Sequence, residues 1–345
     1  MDKERNRGRM KKRMMLVGVI SCFMLVLAAC GGGNQASQSG TDSSSTDTAQ
    51  AEPKNSGNSS SAKASQSREV EYLGEHYTVP KKVERIVITG AMEAMEDAAV
   101  LDVHPVGAIS IGGTFPDMFA AITDKAQSIG EKQQPNFEKI LELKPDVILG
   151  STKFPTEVVE NLQKIAPTIL VSHISTNWDA NLRLMAELTG KQAEAEHILT
   201  QYNTDTQAVK ASLKEKLQGK KVAALRIRGS QVFVYPKDVY FNPVLYDEMG
   251  LEVPEQVTTA KTQEAISTEQ LAEMNPDYLF LQFTISEGQD ASKVYEDLKQ
   301  NPIVQQIHAF KENHVYVNVV DPLMEGGPAY SRIKFVESVQ QHLDK

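Results

Sequence analysis

Residues 191–217 run for 27 positions without a proline or a glycine and are rich in Ala, Glu, Gln, Lys and Leu. Helix formers over that length predict about 40 Å of α-helix at 1.5 Å per residue. Two shorter helices separated near Asn203, Thr204 and Asp205 are the open alternative. On both sides of this stretch, short apolar runs alternate with helical segments. Before it, strands are expected at 85–89, 106–111, 146–150 and 168–172, with helices at 91–101, 137–143, 155–165 and 179–188. After it, strands are expected at 222–227, 232–235, 278–282 and 315–319, with helices at 244–249, 268–274, 293–300, 303–309 and 329–343. This alternation implies α/β lobes, each with a largely parallel sheet faced by helices. A long helix between two such lobes acts as a stiff strut.

The two halves also echo each other. Glu138 begins one predicted helix and is followed by Pro145 and Asp146, then by a buried strand; Glu269 is followed at the same spacing by Pro276 and Asp277, then by another. Pro-Asp ends a helix and starts a turn. One match of this kind is cheap; two at equal spacing, one per half, suggest structural counterparts.

The amino-terminal end reads as an address. Seven Lys and Arg residues precede an apolar run of 16 residues, 14–29, which closes on Leu27, Ala28, Ala29 and Cys30. A basic region, a short apolar region and small residues make a secretory signal. A cysteine at the first mature position makes it a lipoprotein signal, in which the thiol of Cys30 takes a diacylglycerol. The run falls short of the roughly 20 residues of a spanning helix; an uncleaved anchor with a chance cysteine is the bland alternative. Residues 31–68 hold eleven serines in 38 positions and no apolar period, so nothing there offsets the entropy of ordering. A flexible tether of that length reaches about 35 Å. The expected division is a signal peptide at 1–29, Cys30 with its tether at 30–68, a first lobe at 69–176, a helical linker at 177–218 and a second lobe at 219–345.

Composition narrows the function. The chain has two cysteines, Cys22 and Cys30, so a disulfide and a thiol nucleophile are both excluded beyond residue 30. Seven basic and two acidic residues lie in 1–29, which leaves 29 basic against 43 acidic in the remainder, a formal −14. That balance argues against nucleic acid. The sequence holds no zinc-protease helix motif, no nucleophile elbow, no phosphate loop and no dinucleotide fingerprint after its first strand. The histidines are scattered without ligand spacing, so no catalytic residue, no cofactor and no direct metal ligand are expected. Against the acidic background, basic residues at strand ends stand out. Arg226 and Arg228 lie two apart on one strand and face the same side, at its carboxyl end. In open α/β sheets ligands bind outside that end. Lys153 follows the strand that ends at Gly150. Lys132 precedes the Glu138 helix, and Lys261 and Gln263 precede the Glu269 helix. The bland reading of each is a solvated surface charge.

Over essentially all of the chain beyond the tether, the sequence resembles the substrate-binding lipoproteins of iron-siderophore importers, and within them the ferric-catecholate branch that takes up bacillibactin and enterobactin. The segments that carry the resemblance are 88–98 (ITGAMEAMEDA), 149–155 (LGSTKFP), 226–228 (RIR) and 315–323 (VYVNVVDPL). The resemblance implies two Rossmann-like lobes bridged by one long helix, a ligand cleft between them, and a monomer at the outer face of the cell membrane of a Gram-positive bacterium. It implies that Lys132, Lys153, Arg226, Arg228 and Lys261 hold the anionic ferric complex, with Gln263 as a polar contact. It further implies that Glu138 and Glu269 form salt bridges with arginines of a permease served by an ATPase. The family's glutamine after the second arginine is replaced here by Gly229. Three catecholates at −2 around Fe³⁺ leave a complex of charge −3, whose oxygens are already committed to iron, so fixed cations suit it better than metal ligands do. A hydroxamate or citrate siderophore, haem or cobalamin on the same scaffold, or a non-transport surface co-receptor, are the alternatives.

Overall fold

The structure is a computed structural model that describes residues 66–283 and 291–344. All of them fall within one contact unit, Gly57–Lys345. Cys30, the signal peptide and the tether up to residue 65 lie outside the described residues. Among the described residues no helix is long and apolar enough to cross a membrane.

The first lobe opens with a hairpin of β1 (Ser67–Tyr72) and β2 (Glu75–Pro80), so Ser67 and Arg68, expected in the tether, already belong to a strand. Arg68 pairs with Glu187. The lobe continues through β3 (Ile86–Ile88), α1 (Met92–Val100), β4 (Gly107–Ser110), β5 (Gln127–Glu131), β6 (Gln134–Pro135), α2 (Phe137–Glu142), β7 (Val147–Ser151), α3 (Thr156–Gln163) and β8 (Thr168–Val171). The strand order is β6-β5-β4-β3-β7-β8, parallel except for the β5–β6 pair. Without the terminal β6, that is the doubly wound order 3-2-1-4-5, whose direction of winding reverses between β3 and β7. The loops leaving those two strands therefore open the crevice where a ligand sits. They pack tightly: Gly90 has φ +72°, and a Cβ there would lie 2.2 Å from the Phe154 ring.

The connection is helical. After α4 (Trp178–Thr189), Gly190 at φ +74° turns the chain into α5 (Gln192–Leu213). The 22 residues of α5 span about 33 Å without a break at Asn203. The expected extent to residue 217 is corrected: a turn carries the chain from Lys214 to Gly219, at φ +70°. Ala195 and Leu199 of α5 join the first lobe's core, and Tyr202, Val209 and Leu213 join the second's.

The second lobe contains β9 (Val222–Arg228), β10 (Gln231–Val234), a π-helical segment (Pro243–Glu248), α6 (Glu255–Thr259), β11 (Glu264–Ile266), α7 (Thr268–Met274), β12 (Tyr278–Phe283), α8 (Ala291–Gln300), α9 (His308–Lys311), β13 (Val315–Val317) and α10 (Ala329–Leu343). Its sheet runs β11-β10-β9-β12-β13. β9, β12 and β13 are parallel, but β10 runs antiparallel to both neighbours, so the sheet is mixed where a largely parallel one was expected. A two-residue turn at Gly229 and Ser230 causes this, because it folds β9 straight back into β10. The helix expected at 303–309 is interrupted: Ile307, at ψ 137°, separates a short turn at Val304–Gln306 from α9.

The sequence echo is a structural repeat. Lys144 and Asn275, seven residues into the two motifs, both adopt the left-handed conformation, at φ 45° and 44°. Asp146 then accepts from the backbone of Arg85 at 2.8 Å, and Asp277 from the backbone of Lys221 at 2.9 Å. Finally, α10 packs against α1 of the first lobe as well as α5. Its buried Ser331 and Arg332 reach Glu96 and the Ser175 carbonyl respectively.

Candidate functional site

The carboxyl ends of both sheets face one cleft of about 560 Å³, within the roughly 300–1,000 Å³ usual for small-molecule sites. Lys132, Lys153, Arg226, Arg228, Lys261 and Gln263 all line it. The fold places each one in turn. Lys132 sits in the hairpin between β5 and β6. Lys153 follows β7 at the reversal of winding. Arg226 and Arg228 end β9, and Lys261 and Gln263 lie just before β11.

The two arginines differ. Arg226 is 5% exposed, and its Nη2 donates to the Pro322 carbonyl at 2.8 Å, which fixes it as part of the cleft wall. Arg228 is half-buried and donates from Nη1 to Gln263 Oε1 at 2.8 Å; the same oxygen accepts from the Tyr235 hydroxyl at 3.1 Å. Gln263 thus orients Arg228 instead of facing the cleft alone. Gly229 has φ +53° with open space around its Cα, as a tight hairpin requires. Stacked Tyr235 and Tyr240, ring centroids 4.8 Å apart, line the cleft beside Trp178.

Sequence reasoning missed the acids of the cleft. Glu325, in the loop before α10, pairs with Lys132 and stands 4.0 Å from Lys153. Lys153 is also 3.2 Å from Glu93, whose side chain is 4% exposed. Burial pushes the Glu325 carboxyl up, but Lys132 and Lys153 outweigh it and hold it well below the usual carboxylate range. Burial pushes Glu93 up, aided by Glu325 and opposed by Lys153. Burial alone would lower the Lys153 ammonium, and Glu93 and Glu325 more than reverse that. Glu93 stood within the segment 88–98 already singled out; for Glu325 the sequence offered only the Gly326-Gly327 pair that follows it.

Glu138 and Glu269 occupy the second position of α2 and α7, and both are exposed. The hydrogen-bonding caps of these helices are other residues: Asn136 accepts from the Lys139 backbone at 3.1 Å, and Ser267 from the Gln270 backbone at 3.2 Å. The Glu269 carboxyl is held below its ordinary value by its own backbone N–H, with help from Ser267 and Thr268.

The chain matches the family model described as "Periplasmic binding protein" over residues 99–318. It is 44% identical over 332 residues to the iron-uptake system-binding protein of Bacillus subtilis strain 168, covering 96% of this chain and 99% of that one. It is 27% identical over 280 residues to a probable siderophore-binding lipoprotein, YfiY, of the same organism, covering 79% of each. Among solved structures it is similar to the triscatecholate siderophore binding protein FeuA from Bacillus subtilis complexed with ferri-bacillibactin, with TM-score 0.76 and 48% identity, covering 80% of this chain and 98% of that one.

Proposed function

This chain belongs to the periplasmic binding protein family, and from that premise we propose that it captures a ferric catecholate siderophore outside the cell and hands it to a membrane permease driven by an ATPase. The observation that carries this reading is the convergence of five cations, Lys132, Lys153, Arg226, Arg228 and Lys261, from both lobes on one cleft of an otherwise acidic protein. At about 5 Å and an effective dielectric of about 20, each cation gains roughly 3 kcal/mol with one unit of negative charge. Desolvation removes much of that. Micromolar binding requires roughly 8 kcal/mol, so several such cations must act together. Tyr235, Tyr240 and Trp178 add flat apolar surface for catechol rings. In this reading the iron is cargo, already enclosed by the siderophore, and no residue of the chain is catalytic. The 44% identity to an iron-uptake binding protein supports it, as does the ferri-bacillibactin complex of the related structure.

The remaining parts of the reading rest on the sequence. Cys30 carries the lipid that holds the protein at the outer face of the membrane, the residues between Cys30 and β1 supply the reach, and Glu138 and Glu269 meet the two halves of the permease. The decisive experiment is titration of the protein with ferric bacillibactin, ferric enterobactin, a ferric hydroxamate and ferric citrate, read by quenching of Trp178 and tyrosine fluorescence. Saturable quenching by the catecholates at far lower concentration than by the others is expected. Equal or stronger response to the hydroxamate or citrate complex sinks the catecholate assignment.

A further inference from the structure

A site built to take an anion holds an anion of its own. Glu325 comes from the second lobe, and its partners Lys132 and Lys153 come from the first, so the contacts cross the cleft. Its side chain is 20% exposed, against 28% and 35% for the lysines, which makes this more than a surface pair. The loop carrying it is fixed: the Glu325 backbone N–H donates to Glu96 Oε1 at 2.8 Å, and Gly326 turns the chain at φ +81°. Counting Glu325 and Glu93 against the five cations leaves a net +3 among these groups; Asp238 also lines the cleft but is exposed at its rim.

Resting on the catecholate reading only for the sign and multiplicity of the ligand's charge, we propose that Glu325 is a built-in competitor that occupies Lys132 and Lys153 while the cleft is empty and yields them to an incoming polyanion. A small anion of one or two charges reaches only the lysines that the carboxylate already holds and gains little by displacing it. A ligand with several negative charges meets Arg226, Arg228 and Lys261 as well, and only such a ligand gains enough to displace the carboxylate. Glu325 is thus a specificity-determining residue. It lowers the affinity for every anion and rejects the abundant small ones. It also holds the two lysine side chains in place, which shortens the reordering that binding requires.

The test is Glu325→Gln, which keeps the shape and removes the charge, with Glu325→Ala as a second variant and the melting temperature in sodium chloride as the measure of folding. Two probes are used, ferric bacillibactin and sodium sulfate, the latter compared with sodium chloride at equal ionic strength. Glu325→Gln is expected to bind ferric bacillibactin roughly tenfold more tightly than wild type by fluorescence quenching. Sulfate is expected to raise the melting temperature of the variant more than that of wild type, the part common to both being the general stabilisation by an excluded salt. If wild type fails to bind any ferric catecholate, the ligand reading falls, and the sulfate comparison still decides the role of Glu325. If the variant binds the chelate no more tightly than a wild type that does bind it, or if both proteins respond equally to sulfate, the competitor role is overturned.

Discussion

Asp146 and Asp277 make the same bond in the two lobes. Each follows a proline, ends a turn through a left-handed residue, and accepts from the backbone N–H that leads into the neighbouring parallel strand, at Arg85 in one lobe and Lys221 in the other. The bond ties β7 to β3 and β12 to β9, parallel neighbours inside each sheet, and the cleft is built at the far end of those same strands. Asp277 also holds the Lys220 ammonium at 3.1 Å. Burial raises the Asp277 carboxyl, but the Lys221 N–H and Lys220 outweigh it and leave it below its ordinary value. A depressed carboxylate contributes stability that is present above its unfolded pKa and lost as pH falls through the folded one. Asp277→Asn should therefore cost about 1–3 kcal/mol near neutral pH and progressively less below about pH 4, read as melting temperature against pH. A loss of equal size at pH 3 and pH 7 would count against the bond.

The cleft assignment is best tested on Arg228 and Lys261. Arg226 holds the Pro322 carbonyl, and removing it leaves that acceptor unsatisfied. Arg228→Gln with Lys261→Gln should weaken ferric bacillibactin binding at least tenfold, about 1.4 kcal/mol, with little change in melting temperature. Added salt should weaken binding to wild type more steeply than to the variant, since fewer charges remain to be screened. Unchanged affinity would remove these two residues from the site.

Glu138→Ala with Glu269→Ala should leave siderophore binding in solution unchanged and abolish iron uptake in cells. Exposed rim charges act on docking with a partner more than on a cleft elsewhere on the molecule, and the helix caps at Asn136 and Ser267 remain in place. Normal uptake at equal surface level would reduce the pair to favourable charges at helix ends.

Cys30→Ser should release the protein from the membrane fraction without altering ligand binding, measured by fractionation and by fluorescence titration of the released protein. Retention in the membrane fraction would favour an uncleaved anchor.

The seam between the lobes should respond to pH in the opposite sense from Asp277. Burial raises the Glu96 carboxyl to about 8, against its hydrogen bonds from Ser331 and the Glu325 N–H. A group raised in this way contributes stability that is full below its unfolded pKa, near 4.5, and is lost as pH rises through about 8. The melting temperature of wild type should fall between pH 5 and pH 8, and Glu96→Gln should flatten that slope whatever its absolute stability. An equal slope in the variant would place the loss elsewhere.

Much of this was legible from residues alone, for physical reasons. Buried parallel strands such as Val147–Ser151 and Tyr278–Phe283 are continuous apolar runs, and periodicity finds them. The Pro-Asp repeat marks its turns by chemistry. Arg226 and Arg228 interrupt an apolar strand and Lys153 follows one closely, while Lys132, Lys261 and Gln263 were singled out by their matching places before the Glu138 and Glu269 helices. The hairpin β1–β2 escaped because Glu69, Glu71, His76 and Thr78 give its strands a polar face, and its inward residues Val70, Tyr72 and Val79 are few. The edge strands β6 and β11 are two and three residues long, and tertiary pairing alone defines them. Glu325 escaped for a different reason. Its meaning comes from Lys132 and Lys153, which are close in space but far away along the chain, Lys132 by 193 residues.

The packing of α10 on α1 bears on what a permease can sense. The lobes are joined along that seam by Glu96, Ser331 and Arg332, contacts that lie outside the cleft and that would limit how far filling it moves Glu138 relative to Glu269. On the proposed docking through these two residues, an empty receptor would offer the permease the same two contact points as a full one. Idle copies would then compete with loaded ones, and raising receptor abundance beyond the supply of chelate should slow iron delivery.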